Sequence, residues 1–178
     1  PHLGPADAEY VVVKYFDYTC EACKDMHGDL EKIQAKYPGK LAVILVPTPL
    51  NRSCNPHMVA GIKDHDGACE LAKLALRVWK ADPEKFAEFH HGLFEMQGIP
   101  TEAAQAMAAD LVGDEKLNAG DVSWIDEVIK VSCEDYRDFS KRTPKMPKLL
   151  LKGAKVQQGI TRDTATLEQV LREHVGLK

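Results

Sequence analysis

Two short apolar runs bracket a helical stripe near the start of this chain, and that arrangement limits the folds open to it. Tyr10 to Phe16 reads Tyr-Val-Val-Val-Lys-Tyr-Phe, aromatic, β-branched and nearly continuous in apolarity. Such a run is expected of a strand covered on both faces. Leu41 to Val46 is a second run of this kind, closed by Pro47. Between them Met26, Leu30, Ile33 and Tyr37 fall at i, i+4, i+7 and i+11, one stripe of a helix. Pro38-Gly39 ends that helix. Strand, helix and strand, with covered strands, predict a parallel βαβ unit with a right-handed crossover.

The chain then turns helical. Residues 47–57 hold three Pro and read as an irregular connection. Leu71, Leu74, Ala75, Val78 and Trp79 make the next helical stripe. Asp82-Pro83 reads as an N-cap with Pro at the first helical position, and Phe86, Phe89, Leu93 and Phe94 continue on one face. Thr101 is placed to cap a third helix. Asp121 is placed to cap a fourth, with Ile125, Val128, Ile129, Ser132, Tyr136 and Phe139 on its inner side. After Pro147 come a short strand at Leu149–Leu151, a turn at 152–155 and an edge strand at Val156–Gln158. Thr166 and Gln169 have capping-box spacing before a last amphipathic helix. The predicted organisation is α/β, with a core of residues 1–59 and 141–178 interrupted by a helical insertion over 60–140.

Composition narrows function mainly by exclusion. The chain has 178 residues, 23 Lys and Arg against 27 Asp and Glu, and a formal charge of −4. Mild acidity removes any global electrostatic case for binding nucleic acid. The longest wholly apolar run is six residues, too short to span a membrane. The five Cys are too few for a disulfide scaffold and odd in number, so at least one thiol stays unpaired within a monomer. The chain starts at Pro1, as expected after removal of a signal peptide or for a domain of a longer protein.

The chemistry is concentrated at Cys20-Glu21-Ala22-Cys23. A CxxC between a buried strand and a helix places Cys20 at or near the N-cap. Free N–H groups and the positive end of the macrodipole stabilise a thiolate there. Cys23, one turn inside, can close a disulfide or resolve a mixed one. Half of a zinc site and two unrelated thiols are the competing readings, although zinc usually wants a second Cys or His pair.

The segment Tyr15-Phe16-Asp17-Tyr18-Thr19-Cys20-Glu21-Ala22-Cys23-Lys24 resembles the active site of thioredoxin-fold thiol–disulfide oxidoreductases. The helical block after the second strand is similar to the DsbA-like branch, in which a helical domain interrupts the thioredoxin core. Met146-Pro147-Lys148-Leu149-Leu150-Leu151-Lys152-Gly153 resembles the family's second motif, a cis-Pro before a strand with a Gly turn six residues later. Pro144 is the rival position, with the wrong Gly offset. Pro49-Leu50-Asn51 and the Ala-Cys-Glu-Leu-Ala run are also similar to thioredoxin-like domains fused to vitamin K epoxide reductase-like membrane proteins. The resemblance implies that Pro147 packs beside the disulfide and that the Met146 backbone pairs with an extended peptide. It also exposes a departure. Strong oxidants of the family carry Pro-His between the cysteines, whereas Glu21-Ala22 places a carboxylate beside the thiolate and opposes it. The couple is therefore expected to be more reducing than in those members. Lys24 and His27 can offset Glu21 in part, but read more simply as surface residues.

The remaining cysteines and histidines allow further readings. Cys54 and Cys69 enclose 14 residues, and an oxidising compartment would let them pair. A buried free Cys69 with an incidental Cys54 is the alternative. Cys54, His57, His65 and Cys69 also bear side chains that zinc could use. Cys133 reads as a buried helix residue. His90-His91 should place one ring inward and one outward. Asp17 is either a loop-capping acid or a buried acid able to move the Cys23 proton.

The expected function is dithiol–disulfide exchange with protein thiols in a periplasmic or other extracytoplasmic space. Cys20 attacks or is attacked, Cys23 resolves, and Met146 with Pro147 shapes a peptide groove. No cofactor or metal is required, because the thiols carry the electrons. A membrane-bound redox partner is expected, and direction stays open. The alternative from another class is a metal-binding or redox-inactive binding module on the same fold.

Overall fold

The computed structural model describes residues 1–178. Five strands form one sheet: β1 (His2–Leu3), β2 (Tyr10–Phe16), β3 (Leu41–Pro47), β4 (Lys148–Leu151) and β5 (Lys155–Gln158), in the order β1-β3-β2-β4-β5. β2 and β3 run parallel, with Tyr10 opposite Leu41 and Phe16 opposite Pro47. Their crossover is α1 (Glu21–Lys36). β4 lies antiparallel to β2, which sets Lys14 opposite Leu149, and β5 is antiparallel to β4. The pattern of residues did not predict β1, only two residues long, which pairs antiparallel with β3. Gly4 lets the chain leave β1 close to β3. Its φ is 86°, and a Cβ there would run into the Leu41 carbonyl oxygen.

Five helices lie between β3 and β4: α2 (Ala68–Ala81), α3 (Phe86–Glu95), α4 (Thr101–Val112), the short α5 (Asp114–Asn118) and α6 (Ser123–Ser140). The last helix is α7 (Thr164–His174). The helical block has no core of its own apart from a small seam. Phe16 of β2, Met26 and Leu30 of α1, Leu74 of α2 and Phe94 of α3 belong to one continuous apolar core. The seam between α2 and α6 holds Ala72, Leu76, Ile125, Ile129 and Cys133. No helix is long and apolar enough to cross a membrane.

Local details depart from the sequence pattern in instructive ways. Asp82 does cap, but it accepts from the N–H groups of Glu84 and Lys85, and α3 itself starts only at Phe86. Thr101 is the first residue of α4 and provides no side-chain cap. Asp121 accepts from Ser123 N–H one residue before α6 reaches its own N-cap, Val122. The cap of α7 is Asp163, which accepts from the N–H and hydroxyl of Thr166, so Thr166 is inside the helix. α5 is absent from the sequence reading. The two central strands are not covered throughout, since Val11 and Ile44 face solvent.

Candidate functional site

The site is built where β2 ends and α1 begins. Cys20 is the N-cap of α1, with extended backbone, and its carbonyl accepts from the N–H groups of Cys23 and Lys24. Both thiols are free. Cys20 is only 8% exposed, less open than a surface nucleophile, and Cys23 is fully buried. Their environments push them apart. The Cys20 thiol is held below its ordinary value, first by the hydrogen bond from the Cys23 side chain and also by the Cys23 N–H and the Lys14 charge; burial and Asp17 oppose this. Burial raises Cys23 well above the ordinary thiol value, and bonding to Cys20 raises it further. Of the two, Cys20 ionises first and Cys23 holds its proton longer.

Lys14 and Asp17, both buried, flank the pair. Lys14, in the middle of β2, is 1% exposed. Its Nζ donates to the Cys23 carbonyl at 3.1 Å and lies 5.2 and 4.9 Å from the Phe16 and Phe94 ring centres. Burial pushes Lys14 down to about 8, while charge on the two cysteines pulls the other way. Nothing in an apolar run marked this lysine as part of the site. A covered strand hides which of its residues meets the thiols. Lys148 of β4 is likewise buried and pushed down to about 8 by burial; its Nζ donates to the Thr143 carbonyl and Gln158 Oε1.

Asp17 faces the pair from the loop. Its own N–H reaches Cys23 Sγ at 3.5 Å. Its carboxylate accepts from Thr19 N–H at 2.6 Å and Leu50 N–H at 2.5 Å, so this buried acid caps the loop. Burial raises its pKa, and the Thr19 and Leu50 hydrogen bonds oppose the rise. His65 Nδ1 bonds Thr19 Oγ1 at 2.9 Å and stands 3.9 Å from the Asp17 carboxylate. Cys54 and Cys69 form a disulfide that closes the loop carrying His65. That bond removes the reading of Cys54, His57, His65 and Cys69 as a zinc site, because the two thiols are bonded to each other.

The histidines also separate. His90 is buried, its Nδ1 2.7 Å from the Tyr18 hydroxyl, and His91 is exposed. His27 is not the surface residue its position suggested. It is 4% exposed, stacks on Phe94 at 4.8 Å, and is pushed down to about 3 by burial, Lys14 and His91. Lys24 is half-buried and donates to the Glu95 carbonyl. Glu21 is exposed, an acid in the first turn of α1 that favours the helix. Ala22 packs at the edge of the core.

The Met146–Pro147 peptide bond is cis, and Pro144 is not. Met146 is 6% exposed and shares the main core with Cys20 and Cys23, so its side chain is not a free surface. The Pro147 carbonyl accepts from Gly159 N–H, and Gly153 turns the chain at a φ of 74°. Cys133 is buried in the seam, where burial raises it to about 11.

A thioredoxin-type sheet, a helix whose N-cap residue is the first cysteine of a CxxC, and a helical block between β3 and β4 make a thioredoxin fold interrupted by helices, with a thiol pair at the start of its first helix. The chain belongs to the thioredoxin family, whose model, described as Thioredoxin, matches residues 1–166. Disulfide bond formation protein D of Bacillus subtilis is 34% identical over 116 residues, which cover 64% of this chain and 46% of that protein. The match thus spans about half the length of that relative. The catalytic domain of Proteus mirabilis ScsC superposes with a TM-score of 0.74 at 26% identity, over 99% of this chain and 89% of that one. The thiol–disulfide exchange protein α-DsbA2 of Wolbachia pipientis shares the fold, with a TM-score of 0.75 at 24% identity, over 97% and 86% of the two chains.

Proposed function

We propose that this chain exchanges disulfides with protein thiols, with Cys20 as the nucleophile and Cys23 as the resolving thiol. The observation that carries this is the asymmetry of the pair: a stabilised thiolate at a helix N-cap beside a wholly buried thiol. In the reducing direction the Cys20 thiolate attacks a substrate disulfide. A Cys20–substrate S–S bond forms, the substrate S–S bond breaks, and the leaving sulfur departs as a thiolate that takes up a proton. Cys23 then loses its proton and attacks the Cys20 sulfur. The products are a Cys20–Cys23 disulfide and a second substrate thiol, so the substrate gains two electrons and the pair loses two. Oxidation of a dithiol is the same sequence reversed. Asp17 and Lys14 are the buried groups placed to receive the Cys23 proton or to balance its charge.

Exported proteins are the proposed substrates, in a periplasmic or other extracytoplasmic space, with a membrane-bound partner resetting the pair. The Cys54–Cys69 disulfide supports an oxidising compartment. Met146 and Pro147 are the proposed docking edge for an extended peptide, through backbone and not through the buried Met146 side chain. We further propose that residues 60–140 act as the insertion into a core of 1–59 and 141–178. The test is trapping with Cys23→Ser. Mixed disulfides through Cys20 are expected to accumulate, and their identity gives direction. If no adducts form and Cys20→Ser matches the unaltered protein, the assignment fails.

A further inference from the structure

Three ligand-bearing side chains converge at the junction of α1 and α3, beginning one helical turn beyond Cys23. His27 Nε2 lies 3.3 Å from Glu31 Oε1, and His91 Nδ1 lies 3.0 Å from the same oxygen. The two ring nitrogens are 3.4 Å apart. His27 and Glu31 stand one turn apart on α1, so the helix sets their pairing. His91 reaches in from α3.

Hydrogen bonding alone satisfies this triangle only with both rings donating to the one oxygen. A carboxylate oxygen only accepts, and a neutral imidazole donates from one nitrogen and accepts at the other. If both rings aim an N–H at the one oxygen, two like dipole ends are pressed side by side. If one ring does, the lone pair of the other faces a carboxylate lone pair. A single cation near the axis of the triangle takes a lone pair from every corner. Ligands at about 2.0–2.1 Å from a tetrahedral Zn²⁺ stand roughly 3.3 Å from one another, and the observed sides are 3.0, 3.3 and 3.4 Å.

We propose that His27, Glu31 and His91 bind a divalent first-row transition-metal ion, with Zn²⁺ the best fit, and that the ion clasps the redox helix to the helical block. Two imidazoles and one carboxylate suit such an ion and disfavour Ca²⁺ and Mg²⁺, which prefer oxygen. The side chains of Glu31 and His91 are 40% and 49% exposed, while that of His27 is 5% exposed. The ion is therefore reached from solvent, and its fourth position faces water. This site uses neither cysteine, and it stands or falls apart from the exchange reaction.

The test uses the full chain with Cys20 and Cys23 closed as a disulfide, so that the thiols cannot take up metal. Calorimetric titration with Zn²⁺ is expected to give one equivalent, and Co²⁺ a four-coordinate visible spectrum. His91→Ala and Glu31→Gln each alter an accessible side chain, and each is expected to weaken binding at least tenfold. Zn²⁺ should raise Tm in the unaltered chain and not in His91→Ala. Absence of Zn²⁺ and Co²⁺ uptake overturns the proposal. So does uptake that both substitutions leave unchanged, or equally tight uptake of Mg²⁺.

Discussion

Lys14 Nζ donates to the carbonyl of Cys23 from inside the sheet, at 3.1 Å. A cation held there favours the Cys20 thiolate and lowers the cost of charge on Cys23. Lys14→Met removes that cation and keeps the volume close. The pH midpoint for alkylation of Cys20 should move up in the variant, while Cys23 stays unreactive in both proteins. Thiolate absorbance against pH measures the same midpoint. An unmoved midpoint would show that Lys14 only fills space.

The same lysine makes stability depend on pH once the thiols are tied up in a disulfide. With the thiols free its folded value of about 8 lies below its ordinary 10.5, and a disulfide, by removing the thiolate charges that raise it, does not bring the two values closer. Between those values the unfolded chain binds more protons than the folded one, so stability rises with pH across that window. At full extent the gain is about 3 kcal/mol. Urea unfolding of the oxidised protein from pH 7 upward should show the rise, and Lys14→Met should flatten it.

Removing the Cys54–Cys69 disulfide with a double Ser substitution should cost about 3 kcal/mol, the scale for a loop of this length. Because His65 lies in that loop and bonds Thr19 beside the site, the Cys20 midpoint should shift as well. A stability loss with no shift would separate the loop from the thiol chemistry.

Ile129 lies in the seam between α2 and α6, 2% exposed, in an apolar cluster separate from the one that holds the cysteine pair. Ile129→Ala should cost about 2–5 kcal/mol and leave the alkylation midpoint of Cys20 unchanged. A moved midpoint would mean that the helical block transmits strain to the redox helix.

Glu21 follows Cys20 in the chain and is exposed, and no imidazole lies between the cysteines. Equilibration with glutathione should place the couple well below the roughly −120 mV of the strongest oxidants of this kind. Glu21→Gln should raise the potential. A couple as oxidising as those members would contradict this account of the dipeptide.

The order of elements and the thiol pair were legible in the residues because each has a local signature. Periodicity marks α1, and Pro38-Gly39 marks its end. Two apolar runs mark β2 and β3, and the spacing of Pro147 and Gly153 resembles a known motif. The surroundings of the thiols were not legible, because they are made by contacts across the fold. Lys14 reads as an interruption in a strand until Phe94, from α3, comes to lie near its ammonium group. His27 reads as surface until the aromatic ring of the same Phe94 covers it. Asp17 could be placed in the loop, but its partner Leu50 follows β3. Helix starts were misread for a related reason: the N-caps of α3 and α6 lie three and one residues after Asp82 and Asp121, and that of α7, Asp163, lies three before Thr166.

The disulfide between Cys54 and Cys69 has a consequence for how the molecule comes into being. It holds the loop that sets His65 against Thr19, beside a pair of cysteines that must themselves stay exchangeable. A newly made chain therefore has to acquire one permanent cross-link before its working pair is fully framed, with the two reactive thiols close by as competitors for the wrong pairing. On the proposed function, each molecule is in this sense a client of the chemistry assigned to it. For an exported chain, as proposed above, the yield of working protein should track the supply of oxidant during export.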